Sequence, residues 1–95
     1  MVDLLKCEDF EPHLHSRFEM TVGEAATSLE LIAVERLPQQ PRVRQPFSLL
    51  FKHAGTTVCP QGIYRLSHAE LDEFEIFLVP IGRDESGVRY EAIFN

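Results

Sequence analysis

The sequence predicts a mainly β domain of about six antiparallel strands, a small sandwich or a partly open barrel, with a short N-terminal helical segment. Three observations carry this. Short apolar runs alternate with polar residues along most of the chain, the period of a half-buried strand. Phe74 to Pro80 and Val88 to Phe94 flank a Gly82 to Gly87 turn segment, which reads as a hairpin and makes the pairing antiparallel. No segment keeps a helical period beyond about two turns, which leaves packed β layers as the architecture.

The helical segment is Glu8 to Leu14, where Phe10 and Leu14, four apart, are expected to face the core and Pro12 limits the helix. Strand one follows, with Phe18, Met20 and Val22 on one face and Arg17, Glu19 and Thr21 on the other. Gly23 to Thr27 supplies a turn, and Ser28 to Leu37 a second strand whose alternation breaks at Leu31-Ile32, marking either a bulge or burial on both faces. After a proline-punctuated loop, Phe47, Leu49 and Phe51 give strand three an aromatic inward face. His53 to Thr57 is a turn, Pro60-Gln61-Gly62 opens a short fourth strand Ile63 to Leu66, and Ser67 to Asp72 is a connector. In strand five Phe74, Ile76 and Leu78 form one face and Phe77 and Val79 the other, so that it is expected to be central and buried on both sides. Strand six carries Val88, Tyr90, Ala92 and Phe94 on its inner face.

Length and composition narrow the function. A chain of 95 residues, 44% hydrophobic and 25% charged, is one globular domain spanning residues 1–95, able to fold alone or as a small homo-oligomer. No apolar run approaches the roughly 20 residues that span a bilayer, and Met1 to Phe10 does not read as a signal peptide, so the expected compartment is the cytoplasm. Cys7 and Cys59 belong to no paired-cysteine motif and read as free, buried thiols. The net charge of −6 opposes binding to nucleic acid or to anionic membranes and favours a protein partner.

Candidate chemistry is sparse. His13 and His15 would point to one side of an extended segment, but two imidazoles are one ligand short of a zinc site, and no metal or cofactor is assigned. No serine has the context of a nucleophile, and no phosphate loop or nucleotide fingerprint occurs. Glu73 and Glu75 alternate with Phe74 and Ile76 as a solvent face does, rather than as an acid/base pair. Two groups stand out as candidate interaction residues: the basic cluster Arg36, Arg42 and Arg44, and the less generic Pro60 to Tyr64 segment, where Gln61, Tyr64 and His68 form a possible binding lip around Gly62.

Across nearly the whole chain, Pro46-Phe47-Ser48-Leu49-Leu50-Phe51, Pro60-Gln61-Gly62-Ile63-Tyr64, Phe77-Leu78-Val79-Pro80 and the closing Phe94-Asn95 resemble a family of small bacterial proteins catalogued only as a domain of unknown function. The resemblance implies neighbours of the phage-tail-collar type, hence an accessory role in a tail-like or surface assembly, and transfers no catalytic residue. His15 stands where the family pattern usually has glycine, which matters if the backbone there has positive φ. The resulting expectation is a noncatalytic structural or adaptor domain that binds another protein through an exposed strand edge or the Arg36 to Arg44 loop. The alternative is a small-molecule-binding or hydrolytic domain with a cleft near Tyr64, His68 and Cys59.

Overall fold

The computed structural model describes residues 6–38, 46–55 and 57–94. A single α-helical turn, α1 (Cys7–Phe10), runs into a 3-10 turn (Glu11–His13), and six strands follow: β1 (Arg17–Val22), β2 (Ala25–Arg36), β3 (Phe47–His53), β4 (Gly62–His68), β5 (Asp72–Asp84) and β6 (Gly87–Phe94). All pairings are antiparallel, and the strands close into a barrel in the order β1-β2-β3-β6-β5-β4. The sandwich alternative is thereby resolved in favour of a barrel that is closed rather than partly open.

Two long strands make the corners. β2 pairs with β1 through its first half and with β3 through its second, and β5 pairs with β4 up to Leu78 and with β6 from Val79. Each changes partner near a register shift, at Ile32 in β2 and at Ile81 in β5. The broken alternation at Leu31-Ile32 is therefore a bulge, which bends the strand around the barrel. Pro80 sits inside β5, beyond its last pairing with β4 (Gly62↔Leu78), where its missing N–H removes no bond on that side.

Turns are tighter than the sequence suggests. Gly23-Glu24 alone joins β1 to β2, with Gly23 at φ 62°, and Glu85-Ser86 alone joins β5 to β6. The expected connector from Ser67 to Asp72 shrinks to Ala69–Leu71, because β4 continues to His68 and β5 begins at Asp72. Gly87, at φ 137°, admits no side chain: a Cβ there would collide with the His53 carbonyl oxygen on the neighbouring strand. Gly62, in contrast, has no positive φ and only Tyr64 within reach of a Cβ, so neither reason for a glycine applies at that position.

The core holds Phe18, Met20, Leu29, Leu31, Phe47, Leu49, Phe51, Leu66, Phe74, Ile76, Leu78, Val88, Tyr90 and Ala92, all on inward positions of the strands. One end is stopped by α1. Phe10 is fully buried, its ring 5.7 Å from Phe74, 5.9 Å from Phe47 and Phe94, and 6.4 Å from Phe18. It thereby bridges β1, β3, β5 and β6 where β5 has parted from β6. Leu14 does not join it and is 42% exposed. The chain passes from α to 3-10 geometry at Glu11, so a residue four positions on no longer lies on the face of Phe10. Val22 is likewise exposed, at the strand end beside the hairpin turn.

At the other end the segment of residues 57–61 leads into β4, which is not a neighbour of β3 in the barrel. It is pinned from inside: the Cys59 backbone N–H donates to the Tyr90 hydroxyl at 2.9 Å. Burial pushes the Tyr90 phenol above its ordinary pKa, as expected for a hydroxyl kept neutral within a core.

The largest departure concerns β5. Its inner face is buried as expected, but Phe77 is 51% exposed and Val79 only half-buried. The strand is central in pairing, yet a closed barrel has one interior, and no described residue packs over the outside of β5. Burial on both faces, read from apolar residues at both parities, is therefore incorrect.

Candidate functional site

Four of the seven exposed large apolar side chains among the described residues, Ile63, Phe77, Ile81 and Ile93, gather around the β5 corner. Ile63 on β4 is the Cα partner of Phe77, and both point outward, 70% and 51% exposed. Along β5 the same face continues through Val79 to the bulged Ile81, also 51% exposed. On β6, Glu91 pairs with Val79, and Ile93, two residues further on the same outer face, is 56% exposed. Next to the Ile63/Phe77 pair, Arg65 and Glu75 are Cα partners with their charged ends 3.8 Å apart. Glu73 and Glu75 are both exposed, as a solvent face requires. The result is an apolar surface on three adjacent strands, with Glu73, Glu91 and the Arg65–Glu75 pair at its margin.

The described residues singled out from sequence lie elsewhere and do not converge on one site. Arg36 sits at the end of β2 and donates to Glu11 at 3.1 Å, tying the helical segment to the barrel. Glu11 also accepts from the Cys7 thiol at 3.5 Å. Burial and this carboxylate push the Cys7 thiol above its ordinary pKa, which makes a buried thiol a poor nucleophile. Arg42 and Arg44 lie outside the described residues, as does Asn95 of the closing motif.

Tyr64 and His68 both take inward positions on β4 but at opposite ends, about 13 Å apart along the strand. The Tyr64 hydroxyl donates to the Pro60 carbonyl at 2.6 Å and its ring packs against the core, closing the end of the barrel where the segment of residues 57–61 lies. Gln61 is exposed beside it, and Cys59 packs against the core nearby but is only half-buried, short of the burial expected for this free thiol. His68 lies at the end held by α1, its ring 4.6 Å from Phe18 and 4.4 Å from His13, and its Nδ1 accepts from the Glu70 backbone N–H at 3.0 Å. Burial, then the neighbouring His13, lower its pKa from the ordinary histidine value. A single cleft with Tyr64, His68 and Cys59 is not formed.

His13 and His15 also separate. His13 ends the 3-10 turn against His68, whereas His15 has φ 72° and turns its Nδ1 toward Glu30 at 3.3 Å. The premise of an extended segment fails, and with it the same-side geometry. Among the described residues no group of three or more His, Cys, Asp or Glu side chains is placed to hold a metal ion. The backbone at His15 thus has the positive φ that glycine adopts most readily.

Residues 5–94 match the family described as Domain of unknown function (DUF6916). The chain belongs to that family. No curated protein and no solved structure matches it. The DUF6916 domain seen here thus has a six-stranded closed barrel with an N-terminal helical stopper, and among its described residues no helix is long and apolar enough to cross a membrane. The sequence places Ile63, Phe77, Val79 and Ile93 in strands but not Ile81, which precedes the expected Gly82 to Gly87 turn, and the surface they form is not read from it. Its signal was the second apolar face of β5, which was assigned to the interior.

Proposed function

We propose that this domain is a noncatalytic adaptor that docks a protein partner on the outer face of β5, as an accessory of a larger tail-like or surface assembly. One observation carries the reading: β5 has the two apolar faces of a strand buried on both sides, and its own fold covers only one. Phe77, Ile63, Ile81 and Ile93 remain in water, grouped rather than scattered. Grouped exposed apolar residues with a polar margin are the usual composition of a protein interface, and an exposed Phe supplies the kind of anchor that dominates binding energy. The net charge of −6 and the acidic margin favour a partner with basic residues around an apolar centre.

Docking on this face is preferred here to the two routes expected from sequence. Barrel closure gives each strand two neighbours and confines free edge to stretches such as residues 72–78 of β5, which strand addition would have to use. Arg36 is engaged with Glu11. The test is Phe77→Ser: folding and thermal stability remain near wild type, while co-purification of the partner from the cells that make the protein is lost. A variant that keeps its partner, or that unfolds, contradicts the reading.

A further inference from the structure

We propose that a hollow on the outside of β1, β2 and β3, away from the β5 face, binds a small oxyanion presenting a carboxylate or phosphate group. The hollow has a volume of about 350 Å³ and is walled by Arg17, Ser28, Glu30 and Lys52, with His15 among its lining residues. Register creates it. Arg17 is the Cα partner of Glu30, and Glu30 of Lys52, so two cations flank one carboxylate in a row across three strands. Glu30 turns its carboxylate to His15 at 3.3 Å, and neither Arg17 nor Lys52 forms an ion pair with a described residue. Arg36, Arg65 and Arg89, in contrast, each have a carboxylate within 4 Å.

In a chain of net charge −6, a concave place where cations outnumber carboxylates is selective for an anion by position, since the rest of the surface repels it. The donors are complementary to a ligand that only accepts: a planar guanidinium fork, an ammonium and the Ser28 hydroxyl. The volume lies near the lower end of small-molecule pockets, which fits one compact anion. A residue held at positive φ, His15, stands in the lining, and local backbone strain of this kind concentrates at ligand clamps.

The test is titration of the ¹⁵N-labelled full chain with sodium phosphate and, separately, sodium citrate, each against sodium chloride at matched ionic strength. Saturable shifts are expected at the amides around positions 15–17, 28–30 and 52–54, and the tighter of the two probes distinguishes phosphate from carboxylate as the recognised group. Arg17→Gln and Lys52→Gln each weaken binding at least fivefold. Glu30→Gln strengthens it about fourfold, the factor for removing one like charge at about 5 Å in water. Opposite directions from neighbouring positions separate a binding effect from loss of fold. Shifts that match those of chloride, that fail to saturate or that fall elsewhere overturn the proposal, as do charge variants that bind like wild type.

Discussion

Replacing Phe10 by alanine removes the fully buried ring with which α1 stops one end of the barrel. The ring is fully buried and lies within 6.4 Å of four other aromatic rings, on β1, β3, β5 and β6. Transfer of a Phe side chain from water contributes about 1.5–3 kcal/mol, and the cavity left between rings fixed on four strands adds to the loss, for a total of about 3–5 kcal/mol. For a domain of this size each kcal/mol moves Tm by roughly 4–8 °C, so a fall of at least about 12 °C is expected. Thermal unfolding followed by far-ultraviolet circular dichroism measures the fall, and urea unfolding the free-energy loss, with Leu14→Ala as the paired control. Leu14 is four residues on, the spacing that suggests a shared face, but its exposure limits the cost to about 1 kcal/mol. Equal losses for the two variants, or a loss under about 1 kcal/mol for Phe10→Ala, would refute the role of α1 as a stopper.

Three further outcomes follow from the same packing. Tyr90→Phe deletes the acceptor of the Cys59 N–H, costs about 1–3 kcal/mol and speeds hydrogen exchange at that amide; unchanged exchange contradicts the pin. Gly87→Ala forces a Cβ onto the His53 carbonyl at a φ that side chains avoid, and costs about 3 kcal/mol or more by urea unfolding, whereas Gly62→Ala, with open space, stays within about 1 kcal/mol. His68 has a folded pKa below its unfolded value, so its neutral form is favoured by folding; stability is complete above the ordinary histidine pKa and declines as pH falls through it. Urea midpoints between pH 7.5 and 5.5 show this decline, and His68→Gln flattens it; an equal slope in the variant assigns the effect to other groups.

Much of the fold is legible in the residues because the barrel obeys a period of two. Phe18 and Met20, Phe47, Leu49 and Phe51, and Val88, Tyr90 and Ala92 are inward wherever alternation places them. What alternation cannot express is which strands meet. Closure rests on β1 pairing with β4 through Glu19↔Ser67, Met20↔Leu66 and Thr21↔Arg65, a contact between segments more than 40 residues apart. Apolarity also does not state what covers it. Phe77 and Val79 read as a second buried face because most such strands lie between layers, and here that face meets solvent. The hollow of Arg17, Glu30 and Lys52 was illegible for the first reason: three isolated charges become a row only once the registers of three strands are known. Leu14 was misplaced for a local reason, the change from 3.6 to 3 residues per turn at Glu11.

Site-specific photocrosslinking tests the docking account most directly. A photoreactive amino acid is placed at Phe77, and for comparison at Glu19 on the outer face of β1, and both proteins are irradiated in the cells that make them. The account predicts one discrete heteromeric adduct from position 77, absent from position 19 and lost when Ile63 and Ile93 are changed to Ser. Adducts of equal pattern from both positions, a homodimer alone, or none from position 77 would contradict it.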